Sequence, residues 1–127
     1  MKKDNLILIS GNDPIAVKMS AISLTSAEMD VVIGSNDRAE LAYDIDQLRP
    51  DFVFIWGVDN ADDILEFVGK ADGVKPFFIL TTCYRSIYNI LDSSLPNNAY
   101  AILEPQSMGF IKDIIKETDE KYSLENK

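Results

Sequence analysis

The chain contains no histidine, and Cys83 is its only cysteine. Without histidine, Ser-His-Asp and Cys-His catalysis are excluded and the commonest metal ligand is missing. With one cysteine, no disulfide can close within the chain and no paired-cysteine metal site can form. A reducing, cytoplasmic setting is expected. Basic residues are few: 12 against 21 acidic ones, a formal net charge of −9. That charge repels phosphate backbones, so direct nucleic-acid binding by this domain is not expected. Long apolar runs are also missing. After Lys2 and Lys3 the apolar stretch covers only Leu6 to Ile9. A secretory core needs ~7–15 apolar residues and a bilayer span ~20, so no membrane partner is expected. Glycine is sparse as well. After Gly11 the next is Gly34, so no glycine loop cradles a phosphate.

What remains is an ordinary globular composition. The 127 residues are 46% apolar and 26% charged, which suits one domain with its own core. The expected domain covers residues 1–121, with 122–127 as a tail or linker. Short apolar runs alternate with amphipathic stretches. Strands are expected at Asn5–Ser10, Asp30–Gly34, Phe52–Trp56, Pro76–Thr81 and Ala99–Leu103. Phe52–Trp56 is apolar on both faces, as a central parallel strand must be.

Helices are expected between and after the strands. The first runs from Pro14 to about Ala27, with Asp13 as its cap and Ile15, Met19, Ile22 and Leu24 inward. The second is Asp37–Leu48, with Leu41, Ile45 and Leu48 inward, stopped by Pro50. The third is Asp62–Lys70, carrying Ile64, Leu65, Phe67 and Val68. The fourth is Tyr84–Leu95, with Ile87, Ile90 and Leu91 inward. The last runs from Ser107 to about Lys121, capped by Ser107, with Phe110, Ile111, Ile114 and Ile115 on its core face.

Strict βα alternation implies a parallel sheet with helices on both faces. Right-handed crossovers favour a doubly wound α/β fold, a flavodoxin-like (βα)5 sheet of order 2-1-3-4-5. The functional crevice of such a fold lies beyond the carboxyl ends of the strands. That singles out Gly11 and Asn12, Trp56 and Gly57, Thr81 and Thr82, and Glu104 and Pro105.

At these strand ends the chain resembles the CheY-like receiver domain of two-component response regulators, from about Asn5 to Lys121. The matching stretches are Leu6-Ile7-Leu8-Ile9-Ser10-Gly11-Asn12-Asp13-Pro14, Leu48-Arg49-Pro50-Asp51 before Phe52, Asp63-Ile64-Leu65-Glu66-Phe67, Leu80-Thr81-Thr82, and Leu103-Glu104-Pro105. Five weak matches in order and at matching spacing are specific for the fold. The resemblance implies a site with a nucleophilic Asp, two acids for magnesium, a Thr or Ser, and a Lys. The aligned residues here are Trp56 for the nucleophile, Gly11 and Asn12 for the acids, Thr81 for the hydroxyl and Glu104 for the Lys. The family's aromatic switch residue aligns with Ala101.

Only Thr81 meets the demands of phosphoryl transfer, which needs hard oxygen ligands and positive charge near the equatorial oxygens. The resemblance therefore implies a pseudo-receiver with no catalytic residue, no metal and no cofactor. Its expected partners are another protein or a second copy, and a DNA-binding output could follow Lys127. Trp56 is either a plug in the crevice or the end of a buried strand. Glu104 is a solvated carboxylate, a cap for the last helix, or a partner of Arg85. Tyr84, Tyr88 and Tyr100 are candidate interface residues, with the rim of the core as the plainer alternative. The competing functional expectation is a small-ligand sensor with Asn12, Trp56 and Thr81 as walls. A metal-dependent enzyme would have to use Asp13 and Glu104. A lipase-like role for Ser10-Gly11-Asn12-Asp13 lacks the base it needs.

Overall fold

Each apolar run of the sequence becomes a strand, and each is followed by a helix. The computed structural model describes residues 6–26, 29–70, 76–104, 112–117 and 120. In chain order the elements are β1 (Leu6–Gly11), α1 (Pro14–Ser26), β2 (Asp30–Ile33), α2 (Arg38–Leu48), β3 (Phe52–Trp56), α3 (Ala61–Lys70), β4 (Phe77–Thr82), α4 (Arg85–Ser94) and β5 (Ala99–Leu103). Residues 112–117 are helical too. The expected cap Ser107, with Phe110 and Ile111, lies outside the described residues, as do Asn5, Ala27, Pro105 and the 122–127 tail.

The five strands are parallel in the order β2-β1-β3-β4-β5. Their registers bring the carboxyl ends level: Gly11 is opposite Trp56, and Thr82 is opposite Leu103. The other end of the sheet is tied by Asp51. Its Oδ2 and its N–H both bond the Leu6 backbone at 2.8 Å, and its carbonyl accepts from Phe77 N–H at 3.0 Å. Asp51 thus joins β1, β3 and β4 at the end away from the crevice.

Strand alternation divides the core in two. Leu8, Val53, Ile55, Phe78 and Leu80 pack with Leu41, Ile45, Ile64, Val68 and Leu91 from α2, α3 and α4. Ile7, Ile9, Phe54, Ile79 and Ile102 pack with Val17 and Leu24 of α1 and with Ile115. Each such side chain contributes about 1.5–3 kcal/mol by leaving water. Helix ends are set locally. Asp37 caps α2 by accepting from Glu40 N–H at 3.0 Å. Arg49, at φ 49° and ψ 57°, closes it in the left-handed region just before Pro50. Asn60 accepts from Asp63 N–H at the start of α3, and Asp62, Asp63 and Lys70 suit its dipole. Arg38 joins α2 to α3, with Nε 3.1 Å from Asp63 and its guanidinium over the Phe67 ring.

Helix α1 corrects the expectation. Its core face is Val17, Ser20 and Leu24, whereas Ile15, Met19 and Ile22 are 76%, 62% and 55% exposed. The helix is apolar nearly all round, so spacing alone does not select a face. Ser20 goes inward because its hydroxyl donates back to the Ala16 carbonyl at 2.8 Å. Leu48 and Ile90 are also exposed rather than inward. Leu48 ends its helix, and on α4 the single fully buried position is Leu91.

Leu24→Ala is expected to cost about 2–5 kcal/mol in urea unfolding, while Ile15→Ala changes stability by no more than ~0.5 kcal/mol. The reverse order would mean that α1 is rotated on the sheet.

Candidate functional site

The crevice forms where β1, β3 and β4 end and α1 and α4 begin. It holds about 200 Å³ and is bordered by Asn12, Asp13, Trp56, Asp59, Tyr84 and Glu104 among others. Small-molecule pockets usually hold ~300–1,000 Å³, so this one is small.

Thr81 is the buried hub of the site. Its Oγ1 accepts from Gly57 N–H at 3.1 Å and donates to Glu104 Oε2 at 3.0 Å. Its carbonyl accepts from Val58 N–H at 2.7 Å, and Glu104 N–H reaches the carbonyl of Thr82 at 2.8 Å. A hydroxyl has one proton to donate, and here Glu104 takes it. One oxygen of the carboxylate is therefore tied inward across β4 and β5, while the side chain still borders the crevice. The described residues form no Glu104–Arg85 ion pair.

Gly57 is held from both sides. Asn12 Nδ2 donates to the Gly57 carbonyl at 3.0 Å. Gly57 has φ 72°, and a Cβ there would meet Asn12 Oδ1 at 2.3 Å. The positive φ favours glycine, and a Cβ would also push the Asn12 amide out of its bond to the Gly57 carbonyl. Gly11 has a related constraint: a Cβ would lie 2.7 Å from Trp56 Cβ and 2.8 Å from the Trp56 carbonyl. Asp13 caps α1, accepting from Ile15 and Ala16 N–H at 3.1 and 3.3 Å. Thr82 steadies the turn into α4 by accepting from Tyr84 N–H at 3.2 Å.

Trp56 is half-buried at the end of β3. Its ring stacks on Phe54, with centroids 5.0 Å apart and planes at 23°. It packs against the α1-side core as well as bordering the crevice. Its Nε1 is buried and has no hydrogen-bond partner among the described residues.

The structure brings Gly11, Asn12, Trp56, Thr81 and Glu104 to one end of the sheet. They do not fit a magnesium ion. Gly11 has no side chain, Asn12 is engaged by the Gly57 backbone, and Asp13 is engaged as a cap. Among the described residues no group of three or more His, Cys, Asp or Glu is placed to hold a metal. Tyr84 stands exposed at the crevice rim, and Tyr88 packs partly on the core beneath α4. Tyr100 is exposed on β5, where alternation puts it on the face opposite Ala101. The role of Gly57 was invisible to sequence reasoning beyond its place after a strand. The Asn12–Gly57 and Thr81–Glu104 bonds had no signal in sequence spacing.

No protein-family model matches the chain, and no curated protein matches it. Solved structures do. The receiver domain of a modulated diguanylate cyclase from Desulfovibrio desulfuricans superposes with a TM-score of 0.78 at 20% identity, covering 97% of this chain and 99% of that one. A CheY-like receiver domain protein from Methanospirillum hungatei gives 0.75 at 16% identity, covering 97% and 99%. A response regulator from Thermotoga maritima, solved in complex with Mg2+ and BeF, gives 0.72 at 16% identity, covering 89% and 97%. The chain has the receiver fold. Among the described residues no helix is long and apolar enough to cross a membrane.

Thr81→Val is expected to cost about 1–3 kcal/mol, because Gly57 N–H loses its acceptor. A double-mutant cycle with Glu104→Ala should show a coupling of about 0.5–3 kcal/mol; additive losses would mean that the Thr81–Glu104 bond carries no energy. Gly57→Ala should cost about 1–3 kcal/mol. Adding Asn12→Ala should recover the steric part of that loss but not the part due to φ.

Proposed function

We propose that this chain is a receiver-fold signalling module that acts through protein–protein contact without being phosphorylated and without catalysis of its own. The observation that carries this is the Thr81–Glu104 hydrogen bond. The resemblance would have Thr81 serve a phosphoryl group beside a Lys; here the hydroxyl serves a carboxylate of the chain itself. At ~4 Å and an effective dielectric of ~20, a like charge costs an incoming phosphoryl group about 4 kcal/mol where a cation would contribute as much. Trp56 adds to this, since an indole offers no nucleophilic oxygen.

In this reading the module passes on its state by surface contact, with Tyr84, Tyr88 and Tyr100 as candidate interface residues. Tyrosine supplies apolar area with a polar tip, which suits such surfaces. A cytoplasmic setting accords with the exposed, unpaired Cys83.

Incubation with a small-molecule phosphodonor and magnesium, followed by intact mass measurement, should leave the mass unchanged. A stoichiometric phosphoryl adduct would overturn the proposal.

A further inference from the structure

Trp56 carries a donor that is idle in this position. Its Nε1 is buried with no partner among the described residues, and an indole has no second polar atom. The other buried side-chain atom in that condition among the described residues is Arg38 Nη1, but that guanidinium already bonds Asp63 through Nε. The Trp56 N–H is closed to solvent where it lies, so neither water nor a ligand can pair with it in place. A turn of the ring is what would satisfy it, and leaving it unsatisfied costs free energy.

Room and an acceptor lie beside it. The ring borders the crevice of about 200 Å³. The pivot is unencumbered: Gly11 faces the Trp56 Cβ with no side chain, and Gly57 follows with none. Glu104 borders the same crevice, and Thr81 takes its Oε2. Its Oε1 is left to accept a second bond. The other carboxylates and amides of the crevice are poorer targets. Asn12 already holds Gly57, Asp13 already caps α1, and Asp59 is exposed to water, where a new donor gains little.

We infer that Trp56 is a two-position gate: its ring alternates between the stack on Phe54 and a place across the crevice, where Nε1 donates to Glu104 Oε1. Leaving the stack loses the ring contact at 5.0 Å. Reaching Glu104 removes the penalty of an unpaired buried donor and adds a bond to a charged acceptor. These opposing quantities are of similar size, so both positions are populated. Thr81 keeps Oε2 in both, so the hydroxyl network does not change. What changes is the crevice: open in one position, filled by the indole and strapped from β3 to β5 in the other. A partner that touches one form better shifts the balance. That use of the gate rests on the reading of the chain as a module that signals by contact. The motion does not, and a phosphoryl adduct would bear on that reading alone.

Trp56 is the only tryptophan, so the indole N–H region of the NMR spectrum of the full chain reports on it alone. Two signals are expected, or one averaged between them, with the downfield position that of a donor to a carboxylate. Glu104→Ala removes the acceptor and should leave a single signal at the upfield, unbonded position. Asp59→Ala should leave the native pattern. Phe54→Leu keeps an apolar side chain in the core but removes the stack, and should raise the share of the downfield form severalfold. Circular dichroism checks that each variant is folded. One signal at the unbonded position in the native chain and in Phe54→Leu alike would overturn the inference. So would a downfield form that survives Glu104→Ala.

Discussion

The hydroxyl of Thr81 has one proton to give, and where it goes organises the carboxyl end of the sheet. It donates to Glu104 on the β5 side and accepts from Gly57 N–H on the β3 side. Three consecutive strand ends are thereby linked through one buried side chain. Gly57 carries the linkage on to Asn12 at the end of β1. The crevice is built from these bonds, and each wall limits what the next can do. Gly57 favours glycine because its φ is positive, and Gly11 must be small because the Trp56 Cβ and carbonyl lie against it.

The electrostatics follow from the same linkage. Asp13, Asp59 and Glu104 border the crevice, and among the described residues no Lys or Arg does. That acidic border disfavours an anion, and the buried Thr81 hydroxyl already donates to Glu104. The fold places the strand ends where receiver domains place theirs, and in the proposed reading the residues there form a fixed network in place of a transferable phosphoryl group. In the proposed reading functional contact arises at the surface, where exposed Tyr84 and Tyr100 offer apolar area.

Much of the fold was legible in the sequence because strands and helices differ in period. Runs such as Phe52–Trp56 and Phe77–Thr82 are apolar on both faces, which is what a central parallel strand buries, and their order dictated the doubly wound sheet. The orientation of α1 was not legible. With Ile15, Val17, Met19, Ile22 and Leu24 all apolar, the sequence offers two faces, and packing against β1 and β2 chose Val17 and Leu24. Leu48 and Ile90 misled for a simpler reason: spacing does not report where a helix leaves the core. At the site, alignment with the receiver pattern found Gly11, Asn12, Trp56, Thr81 and Glu104. It could not find their bonds, because a hydrogen bond between residues 23 apart in sequence depends on strand register.

The central claim is that the Gly57–Thr81–Glu104 network is fixed and closed to a phosphoryl group. Amide NMR of the full chain, titrated with magnesium and beryllium fluoride, tests it most directly. The account predicts that the Gly57, Thr82 and Glu104 signals stay in place through the titration. Saturable shifts at those residues would show an anion entering the crevice and displacing Glu104 from Thr81, and would contradict it.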